Sequence, residues 1–118
     1  MQILDDITAE ARQRHSIITS DGSVAVLELT YMPTQLGWFA DVSHEKSGWS
    51  AHGLRITANG NILSQWQDII PFGIICWTED GYEPMLPEDF LAGRATLAVI
   101  TATEAAELSE LEMKQQGW

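Results

Sequence analysis

Between residues 24 and 101 the chain alternates short apolar runs with glycine-bearing turns, and Trp38, Trp49, Trp66 and Trp77 fall on or beside those runs. Runs of this length, bounded by Gly, Asn, Asp and Pro, are strand-sized and too short for helices. They restrict the chain to a sheet-built package whose aromatic groups fill a core or meet another surface. With 118 residues there is room for one domain that buries about two thirds of the surface its unfolded chain exposes. A disulfide or metal staple is not required.

Local signals divide the chain further. Residues 13–19 read as a strand ending in β-branched Ile17, Ile18 and Thr19, and residues 23–32 read as its partner, with Leu27, Leu29 and Tyr31 on one face. Asp21-Gly22 between them predicts a hairpin with a type I′ turn, since both residues tolerate positive φ. Pro33 ends the second strand or places it at a sheet edge. Residues 37–43 and 49–57 form the next pair around a polar turn at 44–48, with Gly53 marking a bulge or bend. Asn59-Gly60 predicts a second type I′ turn. Residues 62–70 fit either one helical turn or an irregular strand. Pro71-Phe72-Gly73 marks a corner before the apolar run 74–77, and a loop rich in Pro and acids leads to a last strand over 95–101.

After residue 101 the period changes. Thr101 or Thr103 is placed to cap a helix, and Thr101-x-x-Glu104 fits a capping box. Leu108, Leu111 and Met113 give that helix a thin apolar stripe amid Glu107, Glu110 and Glu112. The expected organisation is an N-terminal arm (1–12), a β domain (13–102) and a C-terminal helix and tail (103–118). The fold class is mainly β: a small β-barrel-like domain of about six to eight short strands, OB-like as first arrangement and an open sandwich as second, with a C-terminal α-helix.

Charge and residue usage narrow the function. Six Lys and Arg against 17 Asp and Glu give a formal net charge of -11. Binding nucleic acid needs a stripe of cations to displace counterions, which this chain cannot build. Solubility and colloidal repulsion are a sufficient reading of this charge; a sharper one is an acidic wall that would let a polyanion pass without sticking. Asp5, Asp6 and Glu10 stand where a signal peptide needs a basic start, and no run reaches the roughly 18 apolar residues of a membrane span. A soluble product made in a cytoplasm is expected. Cys76 has no second cysteine to pair with, and its place beside Trp77 in an apolar run predicts a buried, structural thiol.

A search for chemistry finds no glycine-rich phosphate loop, no Gly-x-Ser-x-Gly elbow and no His-Glu-x-x-His pair. His15, His44 and His52 lack the close spacing of zinc ligands. Glu79-Asp80 and Glu88-Asp89 supply acids for a glycosidase pair, but adjacent acids in turns are ordinarily solvated. No catalytic, metal or cofactor residues are assigned, and no cofactor is expected. A carbohydrate- or ligand-binding β module, with tryptophans as a stacking platform, and a small hydrolase are the competing readings.

The succession Leu29-Thr30-Tyr31, Gly37-Trp38-Phe39-Ala40-Asp41-Val42, Gly53-Leu54-Arg55-Ile56, Asp68-Ile69-Ile70-Pro71-Phe72-Gly73, Asp80-Gly81-Tyr82-Glu83-Pro84, Glu88-Asp89-Phe90 and Gly93-Arg94-Ala95-Thr96-Leu97 resembles the baseplate plug proteins of contractile-tailed bacteriophages. The resemblance runs from about residue 13 to residue 107, leaving the acidic arm and Trp118 outside. It implies a non-enzymatic virion protein of the tail baseplate, made in the host cytoplasm and placed on the tail axis near the hub and spike. There its copies would close the tail tube until DNA ejection. The implied partners are further copies of itself as a homotrimer, the hub and spike proteins and the tape-measure protein, with DNA passing unbound and no membrane. Trp38, Trp49, Trp66, Phe72, Trp77, Phe90 and Trp118 are the candidate interface residues; Glu79, Asp80, Glu88 and Asp89 are the candidate channel-facing acids.

Overall fold

The computed structural model of the protein describes residues 1–58 and 60–115. Seven strands, β1 (Gln2–Leu4), β2 (Arg12–Ile18), β3 (Val24–Met32), β4 (Gly37–His44), β5 (Trp49–Arg55), β6 (Phe72–Thr78) and β7 (Ala95–Thr101), precede one helix, α1 (Ala102–Gln115). The fold is therefore mainly β with a C-terminal helix, and its strand number lies within the expected six to eight. Hydrogen bonding divides the strands into a four-stranded sheet of order β2-β3-β4-β5 and a three-stranded sheet of order β1-β7-β6. All pairings are antiparallel.

Side-chain alternation sets how the sheets meet. In β3 the order exposed-buried repeats along the strand, so Ala25, Leu27, Leu29 and Tyr31 face inward. The register pairs Leu27 with Val42, Leu29 with Ala40 and Tyr31 with Trp38, all buried. A slip of one residue would turn this whole row to solvent, which holds the register in place. Phe72, Ile74 and Cys76 of β6 and Leu97 and Val99 of β7 close the same core from the other sheet. Each fully buried Leu, Ile or Phe contributes about 1.5–3 kcal/mol. On the opposite face of β7, Ala98 and Ile100 are buried too, and α1 packs against β6 and β7 with Ala105 buried.

The first residues belong to the domain, where an arm was expected. Gln2–Leu4 pairs with β7 at Gln2↔Val99 and Leu4↔Leu97, and Leu4 and Ile7 join the core. The reason is that Leu4 and Ile7 supply apolar groups that fill the gap beside β7, which outweighs the polarity of Asp5 and Asp6.

The turns show which local signals hold. The Asp21-Gly22 hairpin forms, but Gly22 (φ 84°) is the only residue of its turn with positive φ. Gly22 N–H donates to Thr19 C=O at 2.9 Å and Thr19 N–H to Ser23 C=O at 2.8 Å. This is a three-residue loop closed by a left-handed glycine in place of the type I′ turn. Asp21 decides the outcome by turning its carboxylate back on the loop, where it accepts hydrogen bonds from the Thr19 and Ser23 hydroxyls and from Ser23 N–H. Gly53 forms the expected bulge: the β4–β5 register shifts between Ala40 and Val42, and Gly53 N–H donates to Asp41 Oδ1 at 2.7 Å. Pro33 ends β3, an interior strand, by opening a 3₁₀ turn, Pro33–Gln35. Residues 62–70 contain a 3₁₀ turn, Ser64–Trp66. Asn59 of the expected Asn59-Gly60 turn lies outside the described residues. The capping box is made in both directions, Glu104 N–H to Thr101 Oγ1 at 3.1 Å and Thr101 N–H to Glu104 Oε1 at 3.0 Å; the Thr101 N–H is the largest cause holding the Glu104 carboxyl below its ordinary range.

Two expected outcomes test these contacts. Gly73 lies against the buried Asn61 side chain, whose Oδ1 accepts from Leu63 N–H and Ile74 N–H, and a Cβ on Gly73 would sit 2.6 Å from Asn61 Nδ2. Gly73→Ala should destabilise the fold by about 1–3 kcal/mol through overpacking, read as a lower urea midpoint at unchanged slope. The Asp21 carboxyl is held below its ordinary 3.8, chiefly by the Ser23 hydroxyl and then by the Thr19 hydroxyl and Ser23 N–H. A lowered folded-state pKa means stability that is present above 3.8 and withdrawn as pH falls below it. Asp21→Asn should flatten that acid-side slope in thermal melts taken across the range; an unaltered slope would place the effect elsewhere.

Candidate functional site

The loop of residues 79–94 carries the candidate acids, and one arginine organises it. Glu79 N–H donates to Arg94 C=O at 3.0 Å and closes the neck, next to which Arg94 continues into β7. Arg94 Nη1 donates to Asp89 Oδ2 at 2.7 Å, and its Nη2 donates to Asp80 Oδ1 at 3.1 Å and to Glu83 C=O at 3.2 Å. Asp89 Oδ2 also accepts from Met85 N–H at 2.7 Å and Leu86 N–H at 2.8 Å. Multiple charge-assisted bonds of this kind hold a loop in one shape. The Asp80 carboxyl is held below its ordinary range by the Tyr82 N–H first and by Arg94.

This arrangement sorts the four candidate channel-facing acids. Asp89 is buried and Asp80 is paired to Arg94, so both charges are spent inside the subunit. Glu79 and Glu88 are exposed and make no ion pair among the described residues. Neither adjacent pair stands across a cleft as glycoside hydrolysis requires.

The aromatic candidates separate in the same way. Trp38, Phe72 and Phe90 are core residues and cannot serve as interface groups, because the two sheets enclose them. Trp38 meets Tyr31 and Phe90 edge to face at 5.4 and 5.5 Å. Its Nε1–H donates to Leu86 C=O at 3.1 Å, and the Tyr31 hydroxyl donates to Met85 C=O at 2.7 Å. Trp49 and Trp66 are half-buried and meet each other edge to face at 5.3 Å, a geometry that presents no flat stacking platform. Trp77 is 41% exposed. Trp118 lies outside the described residues. Exposed apolar groups that the sequence does not single out gather near the loop: Tyr82 and Met85 beside Leu36 line a hollow of about 430 Å³ that also takes in Arg55 and Glu83. Leu36 is the one non-glycine residue with positive φ (47°) among the described residues.

The histidines do not converge. His15 bonds to Gln13 and faces Asp6, His52 faces Asp41, and buried His44 lies between Ser23 Oγ at 2.7 Å and Ser47 Oγ at 2.8 Å. His44 thereby ties the β2–β3 turn to the β4–β5 turn. Cys76 is buried, and burial pushes its thiol up to about 12. A thiol so raised is inert as a nucleophile at neutral pH.

Arg94 is legible in one respect: it is the only Lys or Arg between Arg55 and Lys114, in a span holding ten acids. On the outer face of the four-stranded sheet, Arg12 and Arg14 border a second depression, about 420 Å³, with Glu28, Thr30 and Asp41.

A β package in which a partly buried arginine fixes a surface loop, and whose aromatic groups go to the core or lie at the surface, has the features of a structural subunit. Residues 1–102 match the family described as the cyanophage baseplate Pam3 plug gp18, and the chain belongs to that family. The match takes in both sheets, the first twelve residues included, and ends at the first residue of α1. A search of curated proteins found no match. The family makes the chain a structural component of a phage tail baseplate.

The two acids of the pair at 88–89 should respond oppositely. Asp89→Ala leaves Arg94 without its buried partner and should cost about 3–5 kcal/mol in urea denaturation. Glu88→Ala, at a solvated position, should stay within about 0.5 kcal/mol of the parent. Equal effects would refute the division.

Proposed function

We propose that copies of this chain close the central channel of the tail tube, beside the hub and spike, and hold it closed until DNA ejection. The observation that carries this reading is the family match over residues 1–102. The copies associate as a ring of three about the tail axis, with hub, spike and tape-measure protein as neighbours. The loop of residues 79–94 suits the hub side, because its shape is set by Arg94 while Tyr82 is 69% exposed and Leu86 and Met85 stand beside it. Such anchored apolar groups are the kind that carry interface energy.

DNA passes without binding. The net charge of -11 repels phosphates, and Glu79 and Glu88, being exposed, are the loop acids placed to face them. Displacement of the plug then requires only that its contacts be weaker than those of the tube.

The test is assembly of tails with and without the protein. Particles lacking it should show an open lumen at the baseplate in averaged electron micrographs and should lose DNA before adsorption; closed, DNA-retaining particles would overturn the reading. A Glu79→Lys, Glu88→Lys variant should assemble and eject more slowly. Ejection at the parent rate would remove the electrostatic part alone.

A further inference from the structure

We propose that one copy of this chain binds the next by laying the exposed face of α1 across the β2 edge of its neighbour, with Glu107 and Glu110 of one copy meeting Arg12 and Arg14 of the other. This rests on the reading that copies associate and assigns the contact that joins them.

The argument begins with charge. Copies carrying -11 each repel one another, and a contact that sets cations against acids offsets that repulsion. Among the cations whose side chains are described, few are free for such a contact. Arg94 is held by Asp80 and Asp89, Arg55 by Glu83 and the Phe39 ring, and Lys46 by Asp21. Arg12 has no ion pair or side-chain hydrogen bond among the described residues, and Arg14 reaches Glu28 only at 3.9 Å with its side chain 68% exposed. Both arginines point outward from β2, an edge strand of the four-stranded sheet. An edge strand is where a further chain can lie alongside.

The acids that match them are on α1. Glu107 and Glu110 are exposed on α1 and make no ion pair among the described residues. Residues three apart on a helix stand about 5–6 Å apart, and residues two apart on a strand stand about 7 Å apart. Arginine side chains span the difference easily. Leu111, 55% exposed, shares the helix face with Glu107 and sits where it can enter the depression that Arg12, Arg14, Glu28 and Thr30 border. Glu28 and Asp41 in that depression oppose an acidic helix placed too far inward, which keeps it at the β2 rim.

The giving surface and the receiving surface are different parts of one subunit. Such a heterologous contact closes a ring when its rotation closes, and threefold closure satisfies every copy. Exposed ion pairs are individually weak and screened by salt, so the ring should be salt-sensitive.

Light scattering after size exclusion tests the contact on the full chain, with circular dichroism to confirm that each variant is folded. The parent should run as an oligomer at about 0.1 M salt and fall to the monomer mass at about 1 M, where the screening length shrinks from about 10 to about 3 Å. R12E/R14E and E107R/E110R should each be folded monomers at low salt. The quadruple variant R12E/R14E/E107R/E110R, with the charges exchanged, should be oligomeric again. A folded R12E/R14E that stays oligomeric overturns the assigned contact and leaves self-association standing. A parent that is monomeric at all concentrations and salts overturns both the contact and the ring, while closure of the channel is still decided by the tail particles.

Discussion

A buried indole N–H must find an acceptor, and the acceptor that Trp38 finds is not in its own sheet. Trp38 sits fully buried where β4 faces the second sheet, and its donor reaches Leu86 C=O in the loop before β7. Tyr31, its cross-strand neighbour, does the same to Met85 C=O. Two core aromatics therefore hold two consecutive residues of a surface loop. The same two residues present their N–H groups to Asp89, which Arg94 neutralises. Losing any one of these part-buried hydrogen bonds would cost about 0.5–1.5 kcal/mol for a neutral pair. The surface of the loop is consequently an extension of the core, and this gives a small subunit a fixed face to offer its neighbours.

Parts of this design can be seen in the sequence because they depend on near neighbours. The capping box at Thr101 and Glu104, the hairpin at Gly22 and the bulge at Gly53 each require a few adjacent residues of the right chemistry, and each forms. The type of the first hairpin turn was misread because Asp21 binds its own loop through its side chain, an option that a count of turn residues does not weigh. The alternation in β3 correctly assigned Leu27, Leu29 and Tyr31 to one face.

What stayed hidden depends on contacts distant in the chain. Glu88 and Asp89 look alike in sequence, yet one is solvated and the other buried, since the difference is made by Arg94 and by amides that the loop brings round. The tryptophans were equally ambiguous: Trp38 and Trp77 both lie in strands among apolar neighbours, and only the packing of two sheets decides which of them is enclosed. The segment before β2 read as a polar arm because its burial comes from β7, about ninety residues later. Arg12 and Arg14 carry no signal in the sequence for the opposite reason, being ordinary surface residues until the internal pairing of Lys46, Arg55 and Arg94 leaves them conspicuous.

The pairing of β1 with β7 also imposes an order in time. The four-stranded sheet is a meander of consecutive strands, β2 to β5, whose partners emerge from the ribosome one after another. Its pairings are local and their loop-closure cost is small. β1 is synthesised before the other strands and has no partner until Leu97, Ala98 and Val99 have appeared. For a ribosome adding about 5–20 residues per second, that wait is several seconds. Until β7 arrives Leu4 and Ile7 lack the strand that covers them, so misassociation of a nascent chain is expected to be greatest just before β7 is made.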